Sequence, residues 1–242
     1  MNSEELNLSA LRIRLEREAF LSLTEPRDAL AAYYALYHDP KRTQLWLYSN
    51  ADDQIDGFVV VCQTGFNLFQ PTVVLRARDD EIAVHLLRQA LHPGRPYYVV
   101  TTPALDLVVR QEIQLEQEEI NQVFWFDPNL YRPEINILVQ SARTPDGSAR
   151  YFIRSRGETA SEAGVNWLSP HFAELYVHTQ PWARERGWGK AVVAACALSL
   201  MQARVRPLYM FVQENEVSRR LAESVGFVDT GAREFAGSGI CH

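Results

Sequence analysis

Residues able to do chemistry are densest between Gln180 and Lys190, where Pro181-Trp-Ala-Arg-Glu-Arg-Gly-Trp-Gly-Lys190 places three cations, Arg184, Arg186 and Lys190, around two glycines, Gly187 and Gly189. Phe172-Ala-Glu-Leu-Tyr-Val-His178 precedes this stretch, and its short β-branched and aromatic run reads as a strand. The eleven residues from Ala191 to Met201 follow it, apolar almost all round, and read as a helix buried on most sides. A glycine turn that opens a helix aims free backbone N–H groups and the positive helix end at one point. That chemistry suits a phosphate or pyrophosphate, and glycine matters because a Cβ holds the ligand off the backbone.

Further along the chain a second apolar strand is expected at Pro207–Gln213, then Asn215 opening a helix and Gly226-Phe227 closing it. With Arg184-Glu-Arg-Gly187-Trp-Gly189, this order resembles the GNAT N-acetyltransferases, whose loop reads Arg/Gln-x-x-Gly-x-Gly/Ala. The likeness covers about residues 150–235. It implies a mixed α/β fold with a mostly antiparallel central sheet flanked by helices, and transfer of an acyl group, usually acetyl, from acetyl-CoA to an amine. It also implies roles for single residues. Backbone groups of Leu175, Tyr176 and Val177 would pair with the pantetheine arm. Loop amides from Glu185 through Arg186, Gly187, Trp188, Gly189 and Lys190 would hold the pyrophosphate, with charge added by Arg184, Arg186 and Lys190. Asn215 and Ser218 would add ligand contacts at the next helix. Packing on neighbouring apolar surface is the more ordinary use of the Trp188 ring.

An alkylammonium with a pKa near ~10 is not nucleophilic, so the reaction needs a base. Glu174 stands where several family members carry that carboxylate, and the alternative is a plain outward-facing strand glutamate. A second family position for a base, five residues before the asparagine, is Met210 here. The tyrosine that often serves as general acid seven residues after the asparagine is replaced by Ala222. Ser218, Ser224 or a residue of the first half of the chain would have to stand in, although a thiol of pKa ~8.5 leaves fairly well unaided. The segment His178-Thr-Gln-Pro-Trp-Ala183 is longer than the common spacing, which shifts the expected pantetheine register by a residue or two.

The first half alternates strands and helices in the same manner. A helix is expected over Leu6–Leu23 and another from a Thr24 cap to Tyr37, then strands at Thr43–Ser49, Gly57–Gln63 and Pro71–Arg76. A helix at Asp80–Leu91, a strand at Tyr97–Thr102, a helix at Ala104–Leu115 and a strand at Asn121–Phe126 complete it. This resembles a second GNAT lobe, so two tandem lobes are expected, 1–127 and 134–242, joined through Asp127–Arg132 and Pro133. The strand-to-helix corner of the first lobe reads Arg76-Ala-Arg-Asp-Asp-Glu81, with three acids and no glycine. Acids cap a helix well but repel a pyrophosphate, by about 4 kcal/mol for one like-charge pair at about 4 Å and an effective dielectric near 20. The first lobe therefore reads as degenerate, serving structure or facing the substrate.

Composition narrows the field. The 242 residues are 47% hydrophobic and 22% charged, a folded composition, and the net charge of −6 argues against nucleic acid as a partner. Three cysteines, Cys62, Cys196 and Cys241, lie far apart with no CxxC, so neither a disulfide framework nor a metal site is expected. No apolar run reaches the length of a membrane span, and a reducing cytoplasm is the expected home. The sequence points to an acetyl-CoA-dependent N-acetyltransferase acting on a small amine. The second reading is a catalytically weak acyl-CoA-binding or sensing module, suggested by Ala222 and Met210. A dinucleotide site is disfavoured because the third glycine of GxGxxG is Val192. Trp46, Tyr48, Trp125, Trp167 and His171 are unranked candidates for the acceptor pocket, and no acceptor is named by the sequence.

Overall fold

The computed structural model describes the chain except residues 1–2, 66, 68, 133–135 and 145–146 and the side chains of residues 3–6, so Pro133 of the expected linker lies outside the described residues. It divides into two compact units, Met1–Asn121 with Arg233–His242, and Gln122–Ala232. The expected lobes ended otherwise, because the last strand runs on past Ala232 and its final part is a member of the first unit.

In the first unit, helix α1 (Ser3–Arg17) leads through a 3-10 turn, Pro26–Asp28, to a short α2 (Ala29–Ala32) and a π-turn at Tyr33–Tyr37. The expected cap does not form as read: Glu25, not Thr24, holds the N-cap position, and no side chain caps the turn. Strands β1 (Thr43–Ser49), β2 (Ile55–Cys62) and β3 (Thr72–Ala77) pair antiparallel in turn. Helix α3 (Asp80–Ala90) leads to β4 (Pro96–Thr101), parallel to β3, and α4 (Asp106–Glu112) to β5 (Ile113–Phe126). The strand order is β1-β2-β3-β4-β11-β5, where β11 (Phe227–Cys241) lies antiparallel to β4 over Phe235–Ile240. The helix expected at Ala104–Leu115 stops at Glu112, and β5 begins eight residues before the expected Asn121. Its half-exposed polar run Gln114-Leu-Glu-Gln-Glu-Glu119 hides a strand from a reading based on apolar residues. The core is aliphatic, with Val59, Val73, Leu75 and Val99 of the strands buried together with Leu86 and Leu87 of α3.

In the second unit, β6 (Gln140–Arg143), β7 (Ala149–Ser155), β8 (Glu158–Leu168) and β9 (Phe172–Thr179) pair antiparallel, and β10 (Arg206–Val212) runs parallel to β9. The order is β11-β5-β10-β9-β8-β7-β6. Helices α5 (Trp188–Gln202) and α6 (Glu216–Val225) share one core with the sheet, in which Leu175, Val192, Val193, Cys196, Ala197, Tyr209 and Phe227 are buried. Cys196 is thus a core residue, as its apolar helix implies, and burial pushes its thiol up to about 12. The mixed α/β architecture with mostly antiparallel pairing in two GNAT-like units agrees with the fold expected from the sequence.

Candidate functional site

The site of the second unit starts from a parallel pair that does not run to its end. Arg206, Pro207, Leu208 and Tyr209 of β10 face Phe172, Ala173, Glu174 and Leu175 of β9, and pairing stops there although both strands continue. Tyr176, Val177 and His178 of β9 therefore turn one backbone edge toward an opening rather than toward β10. Parallel strands left unpaired this way present N–H and C=O groups to any extended ligand that enters. Of the three residues expected to offer backbone here, Tyr176 and Val177 border the opening, while Leu175 is still paired and its side chain is buried.

The loop after β9 delivers the chain to α5. A 3-10 turn, Pro181–Ala183, is followed by Arg184, then by Glu185 at φ +62° and Gly187 at φ +72°. Gly187 is the N-cap of α5 and offers no side-chain oxygen, so the first-turn amides of α5 are capped by no side chain. The left-handed conformation belongs to Gly187, where a Cβ would meet open space. Gly189 serves differently: a Cβ there would come within 3.1 Å of the Thr179 hydroxyl at the end of β9. Glycine at this point lets the start of α5 lie close on the strand.

Arg184, Glu185 and Arg186 are exposed, while Trp188, Gly189 and Lys190 are half-buried. The Arg186 guanidinium sits 5.2 Å from the centre of the Trp188 ring, and Trp188 meets the edge of Trp182 at 6.4 Å. Arg156 covers the other tryptophan at 4.8 Å. The two tryptophans thus brace the loop and hold Arg186 without neutralising it. The ring of Trp188 packs on the core of the unit, the use expected from its size.

Glu174 lies on the face of β9 opposite Leu175 and Val177, with Tyr176 and His178 beyond it on the same side. A bulge in β8 shifts the register between Val165 and Trp167, leaving Asn166 as the extra residue. The bulge turns the Asn166 amide Nδ2 to 3.3 Å from Glu174 Oε1, and Trp167, the direct cross-strand partner of Glu174, also favours its charged form. Burial pushes the Glu174 carboxyl up to about 7, against the pull of these two neighbours. A carboxylate half-ionised near neutrality is suited to accept a proton. The sequence carried no signal for Asn166, because a bulge is defined only by the partner strand.

Asn215 caps α6 by accepting from the Ser218 amide at 3.0 Å, and Gly226 ends the helix at φ +107°, both as the sequence indicates. The Ser218 hydroxyl bonds the phenol of Tyr209, a buried residue at the last paired position of β10. Burial raises the Tyr209 pKa. Ser224 turns inward on its own helix, donating to the Leu221 carbonyl at 2.7 Å. Ala222 is fully buried and offers no proton. Of the aromatic candidates for the acceptor pocket, Trp167 joins Glu174, while His171 holds β10 by accepting the Arg206 amide on its carbonyl. Trp46 and Tyr48 pack on the core of the first unit, and Trp125 is 37% exposed on β5.

The corresponding corner of the first unit is built against anions. The Asp79 carboxylate caps α3, accepting from the Ile82 amide at 2.9 Å, with Asp80 and Glu81 in the first turn. β3 and β4 pair only over Thr72–Val74 with Tyr98–Val100, and beyond that the Leu75 carbonyl takes the Thr101 hydroxyl and the Arg76 guanidinium. Arg76 in turn pairs with Glu234 in the interior, so the protein's own side chains satisfy this opening.

No group of three or more metal-ligating side chains occurs among the described residues, and no described helix is long and apolar enough to cross a membrane.

Residues 155–236 match the family model of FR47-like proteins. The structure is similar to a GCN5-related N-acetyltransferase of Kribbella flavida, with 13% identity, a TM-score of 0.58 and coverage of 99% of this chain and 96% of that one. It is similar to a GNAT-family acetyltransferase of Colwellia psychrerythraea, with 10% identity, a TM-score of 0.57 and 99% and 97% covered. It is also similar to a tandem GNAT protein of the clavulanic acid biosynthesis pathway, with 12% identity, a TM-score of 0.56 and 98% and 94% covered. No curated protein matches the chain in sequence. The FR47-like match is confined to residues 155–236, and the likeness to these solved structures, at 13% identity or less, is one of fold.

Proposed function

We propose that the chain is an N-acetyltransferase that moves an acetyl group from acetyl-CoA to the amine of a small substrate. The observation that carries this is the continuity of the opening beyond Leu175 and Tyr209 with the uncapped glycine start of α5. An extended thioester arm and a pyrophosphate need those two features in that order.

Bound acetyl-CoA supplies a thioester carbonyl; as the amine attacks, a C–N bond forms, the C–S bond breaks, and the thiolate leaves with the electron pair. The chain's own residues then have three tasks. Glu174, poised near 7, accepts the proton lost by the amine, directly or through one water. Backbone amides at the opening and at the α5 start position the reacting group, work that lowers a barrier through pre-organisation. Tyr209 and Ser218, joined by their hydroxyls beside the opening, stand in for the absent helix tyrosine as donors toward the departing sulfur. The compartment proposed for this reaction is the cytoplasm. The partners are the coenzyme and a small amine, with neither nucleic acid nor a membrane surface engaged.

A weaker reading, a sensing module that binds acyl-CoA without turnover, draws on Ala222 and Met210. The two separate in one pair of measurements. Acetyl-CoA at about 100 times its Kd should stabilise the protein by ~2.7 kcal/mol, roughly 5–10 °C in Tm, and NAD should not. Release of free thiol in the presence of a panel of small amines supports the transferase. A melting shift with no thiol release from any amine supports the sensor, and the absence of a shift with acetyl-CoA, CoA and longer acyl-CoA removes both.

A further inference from the structure

The side chain of Tyr176 and the residue across from it take no part in the chemistry described above. Tyr176 stands two positions beyond Glu174 on β9 and shares its face. Its cross-strand partner on β8 is Gly164. A Cβ at Gly164 would come within 2.7 Å of Tyr176 Cε1 and of the phenol oxygen, and within 2.8 Å of Cζ. The outer end of the ring therefore fills the space that a side chain at position 164 needs. Because β9 lies between β8 and β10, a ring seated on β8 leans away from the opening beyond Leu175 and Tyr209.

The ground around this seat is apolar. Leu208, paired with Glu174 from β10, is buried, and Met210 follows two positions on along the same face. Glu174, Tyr176 and Met210 are each half-buried, so a ligand can touch them. Glu174 is the one carboxylate in this group. The cations at its margins are engaged: Arg150 on β7 pairs with Glu162, and Arg206 lies over the Phe172 ring at 4.3 Å. An ammonium is drawn to Glu174, whereas a carboxylate carried beside it meets a like charge, an aromatic ring and a thioether.

Resting on the transferase reading above, we infer that Gly164 and Tyr176 select the acceptor, which is a primary amine on an uncharged apolar body rather than an amino acid. The seat on β8 holds the ring clear of the opening, and the ring with Met210 forms the floor on which the apolar body lies. Glycine inside a strand costs backbone entropy and packs nothing, so its presence here is accounted for by the ring it admits. The atoms that a Cβ would meet are the far end of a side chain. Gly164→Ala therefore moves the ring and leaves the strand in place.

Thiol release at saturating acetyl-CoA tests this on the full-length chain, Gly164→Ala, Tyr176→Ala and the double variant, with phenylethylamine, hexylamine and phenylalanine as acceptors. The unmodified protein should show a kcat/KM about tenfold higher for the two apolar amines than for phenylalanine, ~1.4 kcal/mol. Gly164→Ala should raise KM for those amines about tenfold, with the acetyl-CoA Kd within about twofold. In the Tyr176→Ala background the same substitution should change KM less than about twofold, since no ring is left to displace. Unliganded melting temperatures report folding, and the preference of the unmodified chain decides the acceptor class without any variant. Phenylalanine used as well as the apolar amines, or turnover of neither apolar amine, overturns the inference. A KM unmoved by Gly164→Ala, or raised equally in both backgrounds, overturns it as well. In these cases thiol release from any amine leaves the transferase reading standing, and release from none removes both.

Discussion

Asn166 and Glu174 meet at 3.3 Å because a bulge in β8 adds one residue opposite β9. The contact sets the surroundings of the Glu174 carboxylate. A surface carboxylate ionises far below neutrality, and its neighbours Asn166 and Trp167 alone would push it lower still; desolvation outweighs both and leaves it at about 7.

Glu174→Gln should lower kcat at pH 7 by about 10²–10⁴ while the coenzyme Kd stays within about twofold. The unmodified enzyme should gain rate as pH rises through about 7, the carboxylate being the active form. Stability should move the opposite way. The folded carboxyl holds its proton more tightly than the unfolded one, so its contribution is full at low pH and is lost as pH rises through about 7. Urea titrations across that range should show a steeper decline for the unmodified chain than for Glu174→Gln. Turnover of the variant equal to the parent's would assign the carboxylate to structure.

Asn166→Ala removes one of the two groups that favour the charged form of Glu174. The pH–rate profile should shift to higher pH with the plateau nearly preserved. An unmoved midpoint would show that the amide does not act on the carboxylate.

The two loop glycines should fail for different reasons. Gly187→Ala has room for its Cβ but must hold φ near +72°, at a cost of roughly 1–2 kcal/mol, with weakened coenzyme binding. Gly189→Val drives a branched side chain onto Thr179 and parts α5 from β9. It should abolish the acetyl-CoA melting shift in a protein that is still folded by circular dichroism. Full retention of the shift in Gly189→Val would place the pyrophosphate elsewhere.

The first unit should respond in stability rather than in binding. Asp79→Asn with Asp80→Asn should cost at most about 1 kcal/mol, since Asn is also a good cap, and should leave coenzyme affinity unchanged. A tenfold change in that affinity would make the first unit part of the binding site.

Arg76 and Glu234 form a buried pair, and burial outweighs the arginine's charge to push the Glu234 carboxyl up to about 7. Arg76→Ala strands the Glu234 carboxylate in the interior and takes one donor from the Leu75 carbonyl, and should cost about 3–5 kcal/mol in chemical denaturation. Arg76→Met with Glu234→Leu should recover most of that loss, because two apolar side chains carry no desolvation penalty. A single variant as stable as the parent would mean the pair contributes nothing.

What the sequence determined by itself was local. The strand Phe172–Thr179, the glycine turn, the apolar helix, the Asn215 cap and the Gly226 stop each depend on residues within a few positions of one another, and so does the acidic cap at Asp79. Backbone preference, capping and side-chain periodicity act over that range. Even there, which glycine carries the positive φ was decided by the turn as folded, and it is Gly187 rather than Gly189. Everything that depends on a distant partner was decided by the tertiary structure. The opening exists because β10 pairs with β9 over four residues and then leaves it. The pKa of Glu174 follows from desolvation, which no spacing encodes, and the bulge at Asn166 from the strand across from it. Arg76 and Glu234 are 158 residues apart and meet only in the folded interior. The stretch from Asp127 to Arg132 reads as a tether until the carbonyl of Gly226 takes the Asp127 amide, since a linker and a docked segment differ only in what the backbone is bonded to.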